Sequence, residues 1–223
     1  MSLIEPFTIN DMHFKGARIL YSHLSEGLEY VKKHRVKEIC IRKGFDDTRY
    51  LVDFDFLREL TFVETFEFIV NLSKKSDLEG LYSLSNLREF RWVVNNVFDL
   101  DFSRLATIEK INTRYYDGIK LENLTSLKEL YLNSVKTDSL EFLPAFENLE
   151  LLRIIGGKFT TLAGLERCKN LKKLDLRRCF NLCCVDTILQ KLNKLESVTF
   201  DSCKKIDINL EELKKRVPHV WVG

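Results

Sequence analysis

The chain has 223 residues, 45% of them hydrophobic and 30% charged, with only three prolines. That is too apolar for disorder and long enough to bury a sizeable core. Thirty-five basic residues against 33 acidic ones leave a formal charge of +2, so no net field draws the chain to nucleic acid or to an anionic membrane. No run approaches the ~20 uninterrupted apolar residues of a membrane span.

Residues 1–35 open without a basic stretch, apolar core and small-residue cleavage site, so no secretory signal is read there and a cytoplasmic location is expected. An extended apolar segment, Ala17 to Tyr21, precedes a helix predicted to open at Ser25 with Leu24, Leu28 and Val31 on one face. This segment is expected to cap the units that begin at residue 36, because the first turn of a stacked-repeat array exposes apolar surface and an unpaired strand edge.

From residue 36 onward an apolar-x-x-apolar-x-apolar pattern recurs. Its units are Val36-Ile39-Ile41, Val63-Phe66-Phe68, Leu87-Phe90-Trp92, Ile108-Ile111-Thr113, Leu127-Leu130-Leu132, Leu149-Leu152-Ile154, Leu171-Leu174-Leu176 and Leu195-Val198-Phe200. A truncated Val217-Val220-Val222 ends the series. Successive first positions lie 27, 24, 21, 19, 22, 22, 24 and 22 residues apart. Further apolar residues stand three and six positions upstream, as Leu124 and Leu121 do before Leu127. Alternation such as Leu130-x-Leu132 predicts one short strand per unit with one face buried. The three-residue upstream spacing suits a 3₁₀ turn better than a long helix. A parallel strand reached after so brief a return builds a coil of stacked turns that bury their apolar sides against one another.

The pattern resembles the leucine-rich repeat family, L-x-x-L-x-L-x-x-N/C-x-L, over roughly residues 36 to 223. Its units are similar to the short repeats of internalin-like proteins and of a regulatory subunit of protein phosphatase 1. The resemblance implies a curved solenoid with a parallel sheet on the inner side and short 3₁₀ or irregular segments on the outer, used to bind proteins. The expected organisation is a cap over residues 1–35 and repeats over 36–223, in one continuous domain. The Asn/Cys column reads Gly44, Asn71, Asn95, Tyr116, Val135, Gly157, Cys179 and Cys203. Half conform, so the turns near Tyr116, Val135 and Gly157 must be irregular or satisfy their amides in another way.

No catalytic constellation is legible. The four histidines, His13, His23, His34 and His219, lie outside the central repeats, and no nucleotide-binding, zinc-protease or nucleophile-elbow motif occurs. Gly156-Gly157 reads as a turn at a strand exit, and Asp46-Asp47 and Glu211-Glu212 as solvated surface. No enzyme and no cofactor are expected. Cys168, Cys179, Cys183, Cys184 and Cys203 fall in two adjoining repeats, but C-x₃-C-C is not a zinc spacing. Cys168 takes a core position while Cys179 and Cys203 take the ladder position; stacked one strand spacing apart, ~5 Å, the latter two admit a disulfide in an oxidising compartment.

The second, fourth, sixth and seventh residues of each unit should point from the inner sheet to solvent. Ile69, Val70, Val93 and Val94 form an apolar group that either wants a cover or turns inward through a register shift near the longer first repeats. Arg91, Arg114, Arg153 and Arg177 alternate with Tyr115 and Tyr131, a composition enriched in interface hot spots, although solvated charge is the commoner role of any single arginine. Acids such as Glu67, Glu89, Glu129, Asp175 and Asp201 interleave, and a phosphate track would be cleaner. The expected use is binding of a protein of unknown identity by a monomer, through Ile69, Val93, Arg91, Arg114, Tyr115, Tyr131, Arg153, Asp175 and Arg177, with no metal and no membrane. Nucleic acid or another polyanion on the Arg/Lys columns is the alternative.

Overall fold

The structure is a computed structural model describing residues 7–11, 14–44, 48–93 and 100–223. The chain divides into two compact units, Met1–Leu100 and Asp101–Gly223.

The first unit opens with an antiparallel pair, β1 (Phe7–Asp11) and β2 (Phe14–Leu20). Helix α1 (Leu24–His34) comes next, burying Gly27, Leu28 and Val31 on one face. It starts one residue before the predicted Ser25, with His23 at the N-cap making no side-chain capping bond; it ends on Arg35 in the left-handed conformation, φ 49°. Strands β3 (Glu38–Arg42), β4 (Thr65–Ile69) and β5 (Glu89–Trp92) then add in parallel, β2 pairing β3, β3 pairing β4 and β4 pairing β5.

Between these strands the three-residue apolar spacing makes 3₁₀ turns, Phe54–Leu57 and Glu79–Ser83. Asp53 starts the first of them by accepting the Asp55 N–H at 2.9 Å. The turns stack so closely that a Cβ on Gly80 would lie 2.0 Å from the Phe54 carbonyl oxygen, which is why no larger residue can stand there. The core is aromatic. Phe54 sits 4.9 Å from Phe68 and 5.8 Å from Trp92, ring centre to ring centre, and Phe66 and Phe90 continue the stack 6.2 Å apart.

The second unit is leucine-rich. Strands β6 (Lys110–Arg114), β7 (Glu129–Val135), β8 (Leu151–Gly157), β9 (Lys173–Arg177), β10 (Ser197–Asp201) and β11 (His219–Val222) pair in parallel and in sequence order. Register follows the repeat, so Leu130 faces Leu152 and Leu152 faces Leu174, each 0–1% exposed. The return segments include 3₁₀ turns Phe102–Arg104 and Leu165–Arg167, a single helical turn α2 (Asp186–Leu189) and α3 (Leu210–Arg216). Asn209 caps α3 by accepting the Glu212 N–H at 3.1 Å.

The non-conforming turns at Val135 and Gly157 have a backbone solution. Strands β7 and β8 run two residues longer than their neighbours, so that Val135 and Gly157 pair with each other. The residue before that pair, or before the ladder cysteines, takes a left-handed conformation: Ser134 at φ 60°, Gly156 at 77°, Arg178 at 54° and Ser202 at 55°. Gly156-Gly157 is therefore a strand exit. Asn95 and Asp46-Asp47 lie outside the described residues.

Candidate functional site

Because side chains alternate across a strand, burying Leu130 and Leu132 turns Glu129, Tyr131 and Asn133 outward. In the second unit, register aligns these outward residues into rows. The central row reads Asn112, Tyr131, Arg153, Asp175, Thr199 and Trp221 from β6 to β11.

Four of the expected residues come together along it. The Arg153 guanidinium lies over the Tyr131 ring at 5.3 Å, and the Lys110 ammonium approaches the same ring at 5.4 Å. The Tyr131 hydroxyl donates to Glu129 Oε2 at 2.7 Å, and Lys110 Nζ sits 3.4 Å from the same oxygen. On the other side Arg153 Nε donates to Asp175 Oδ2 at 2.6 Å. Arg177 Nε and Nη2 donate to Asp175 Oδ1 and Oδ2 at 2.9 and 3.1 Å.

Asp175 anchors this group. Its side chain is 13% exposed, against 37% for Arg153 and 42% for Arg177. Burial by itself would raise its carboxyl pKa; the hydrogen bonds from Arg177 and Arg153 outweigh burial and hold it below the usual carboxylate range. The same bond raises the Arg177 guanidinium further. The result is two arginines held in fixed poses, one stacked on an aromatic ring, on a rigid sheet.

Tyr115 is not on this surface. It is 5% exposed, with its ring edge-on to Phe142 at 5.0 Å. The seventh position lies past the end of β6, where alternation no longer governs direction, so the ring folds under the following return segment. Burial, with Asp117 beside it, raises its hydroxyl pKa. Arg114 stays on the sheet, half-buried, at the end of β6 opposite Asn133. Trp221, 51% exposed and in register with Thr199, continues the central row onto β11 and was missed. Its signal was the parity of the final half-repeat, in which Val220 and Val222 keep the core phase.

In the first unit, Arg91 Nε donates to Glu89 Oε1 at 2.6 Å and Nη1 lies 3.7 Å from Glu67 Oε2. Ile69 and Val93 are 42% and 49% exposed, so the register shift that would turn them inward does not occur; Ile69 pairs opposite Arg42 in the regular ladder. Val70, by contrast, is fully buried, and Val94 lies outside the described residues. Cys40, expected outward at a fourth position, is 1% exposed, and burial foremost, with Glu67 nearby, pushes its thiol up to about 12.

A second pattern escaped the sequence reading. The residue just before each repeat strand alternates in charge: Lys37, Glu64, Arg88, Glu109, Lys128, Glu150, Lys172, Glu196. Lys37 pairs with Glu64 at 2.6 Å, Glu109 with Lys128 at 2.7 Å and Glu150 with Lys172 at 2.9 Å. Each of these pairs bridges neighbouring strands, so the alternation supports the observed register.

All six cysteines are free thiols. Cys168, Cys179 and Cys203 are buried in the core and ladder positions assigned to them. Cys179 donates toward the Arg177 carbonyl, and contact with Cys203 together with burial drives its pKa upward. Among the described residues no three His, Cys, Asp or Glu side chains gather in a way that could hold a metal ion. No described helix is long and apolar enough to cross a membrane.

No family model and no curated protein sequence matches the chain. Solved structures do. An internalin, InlF, from Listeria monocytogenes superposes with a TM-score of 0.59 at 14% identity, over 88% of this chain and 57% of its own. TLR13, in a complex with ssRNA13, superposes at 0.63 and 21% identity, over 89% of this chain and 30% of its own. The fold is that of the leucine-rich repeat. The chain thus spans under two thirds of either neighbour. Within the leucine-rich repeat frame, the Tyr131–Arg153–Asp175 row lies on the solvent face of the sheet, opposite the leucine core.

Proposed function

We propose that the chain is a non-enzymatic protein-binding module whose contact surface is the outward row of the second unit's sheet: Lys110, Tyr131, Arg153, Asp175 and Arg177, extended by Trp221. The supporting observation is the preassembled stack of Arg153 on Tyr131, tied through Asp175 to Arg177. Side chains already fixed lose little freedom on association, and Tyr, Trp and Arg are the residues that dominate interface energetics. Arg114 flanks the row. In the first unit, Ile69 and Val93 with Arg91 offer a smaller mixed patch to the same class of partner, and the segment through residue 35 serves as the cap of that unit. The chain acts as a monomer.

Interleaved acids at Glu129, Asp175 and Asp201 favour a protein carrying charges of both signs over a polyanion. The test is capture from a native lysate by wild type and by a Tyr131→Ala, Arg153→Ala variant, with folding checked by circular dichroism. Loss of one saturable protein species in the variant supports the reading, and undiminished capture overturns it. Since TLR13 was solved with ssRNA13, single-stranded RNA is assayed alongside: affinity falling steeply with salt, centred on the same arginines, would replace the protein partner with nucleic acid.

A further inference from the structure

Cys183 and Cys184 stand apart from the other cysteines and from the sheet face. Cys40, Cys168, Cys179 and Cys203 are between 0% and 6% exposed, whereas Cys184 is exposed and Cys183 half-buried. The two sulfurs lie 3.5 Å apart. Neighbouring residues of an extended segment ordinarily point to opposite sides, so this convergence is a local arrangement.

The backbone fixes it from both flanks. The Cys183 N–H donates to the Thr160 carbonyl at 3.0 Å, and the Cys183 carbonyl accepts the Asp207 N–H at 3.2 Å. Cys184 bridges Thr161 on one side and Asp207 on the other. The Cys183 thiol also donates to the Thr160 carbonyl at 3.3 Å. The dithiol is thus carried on three laced return segments of the second unit, with one sulfur open to solvent.

Among the described residues no third His, Cys, Asp or Glu joins the two thiols in a metal-holding group, and two are too few for tetrahedral zinc. A direct disulfide would have to draw the sulfurs to ~2.05 Å inside a ring closed through a single peptide bond, against the hydrogen bonds that hold that peptide. A ligand atom that accepts two thiolates at a bent angle and brings its own third substituent fits the separation without moving the backbone. Trivalent arsenic bearing an organic group is such a centre.

We propose that Cys183 and Cys184 form a vicinal dithiol site that binds trivalent organoarsenicals as a bidentate chelate. With an arsenoxide, two As–S bonds form and two S–H bonds and the arsenic–oxygen bond break. Both thiol protons leave with the oxygen as one water, and arsenic stays trivalent, so no oxidant or reductant is consumed.

The experiment treats the full reduced chain with one equivalent of phenylarsine oxide and reads intact mass and free-thiol count. Expected is a single adduct with loss of one water and two thiols, stripped by 2,3-dimercaptopropanol but not by the same concentration of 2-mercaptoethanol. Peptide mapping of the thiols protected from alkylation should return Cys183 and Cys184. Cys184→Ala, a change at an exposed residue, should abolish the adduct with the fold intact by circular dichroism. An adduct that survives in Cys184→Ala, protection mapped to Cys179 and Cys203, or all six thiols left free in wild type would each overturn the site.

Discussion

Arg153 and Asp175 occupy facing positions on adjacent strands, β8 and β9, and their side chains meet at 2.6 Å while Arg153 also covers the Tyr131 ring. One cross-strand pair thus holds an arginine flat against an aromatic face, and the second unit's outward row is organised around it.

The acid response comes from this pair. The Asp175 carboxyl has a lowered pKa in the folded state, so its stabilising contribution is complete above the ordinary aspartate value of about 3.9 and disappears as pH falls through the lowered folded value. Asp175→Asn should therefore cost about 1 kcal/mol near neutrality, with the arginines partly exposed and screened, and almost nothing near pH 2. Urea unfolding of both proteins at the two pH values reads the difference.

The charge ladder should respond to salt. Lys128→Glu sets a carboxylate beside Glu109 and Glu150, and the chain should lose less than about 1 kcal/mol, with the loss shrinking in high salt. Reversing Glu109 to Lys in the same chain should recover part of it. Thermal melts at low and high ionic strength check both.

Left-handed positions separate by residue type. Gly156 adopts φ 77° in open space, so Gly156→Ala should cost about 1 kcal/mol through the backbone alone. Arg178 holds φ 54° at the equivalent position, and Arg178→Gly should be neutral or stabilising by up to about 1 kcal/mol. Chemical denaturation should show a loss for Gly156→Ala and none for Arg178→Gly.

Packing of the leucine stack sets a larger scale. Leu152 is fully buried between Leu130 and Leu174, and Leu152→Ala should cost about 2–5 kcal/mol, read by the same denaturation.

Thiol accessibility completes the set. In the native state a thiol reagent should label Cys184 first and Cys183 next, while Cys40, with its thiol raised to about 12, and the buried Cys168, Cys179 and Cys203 react only on unfolding. Timed alkylation and mass spectrometry distinguish the two classes.

The repeat register was legible in the sequence because a strand shows one face per two residues and each repeat returns to the same place: Leu130, Leu152 and Leu174 had to stack once their spacing was read. That reasoning also placed Tyr131, Arg153, Asp175 and Arg177 outward, and the resemblance carried in the columns matched the fold. Where the chain leaves the strand, periodicity stops constraining direction. Tyr115 turns under Phe142, Val70 buries while Ile69 does not, and Cys183 and Cys184 converge, because each is decided by what the return segments pack against. The alternating charges before the strands stood in the sequence as well, yet only pairing of neighbouring strands shows Glu109 reaching Lys128 and Glu150 reaching Lys172. Apolar burial is additive along the chain and can be read locally; the partners of polar side chains are set by distances between segments some twenty residues apart, and those exist only once the turns have stacked.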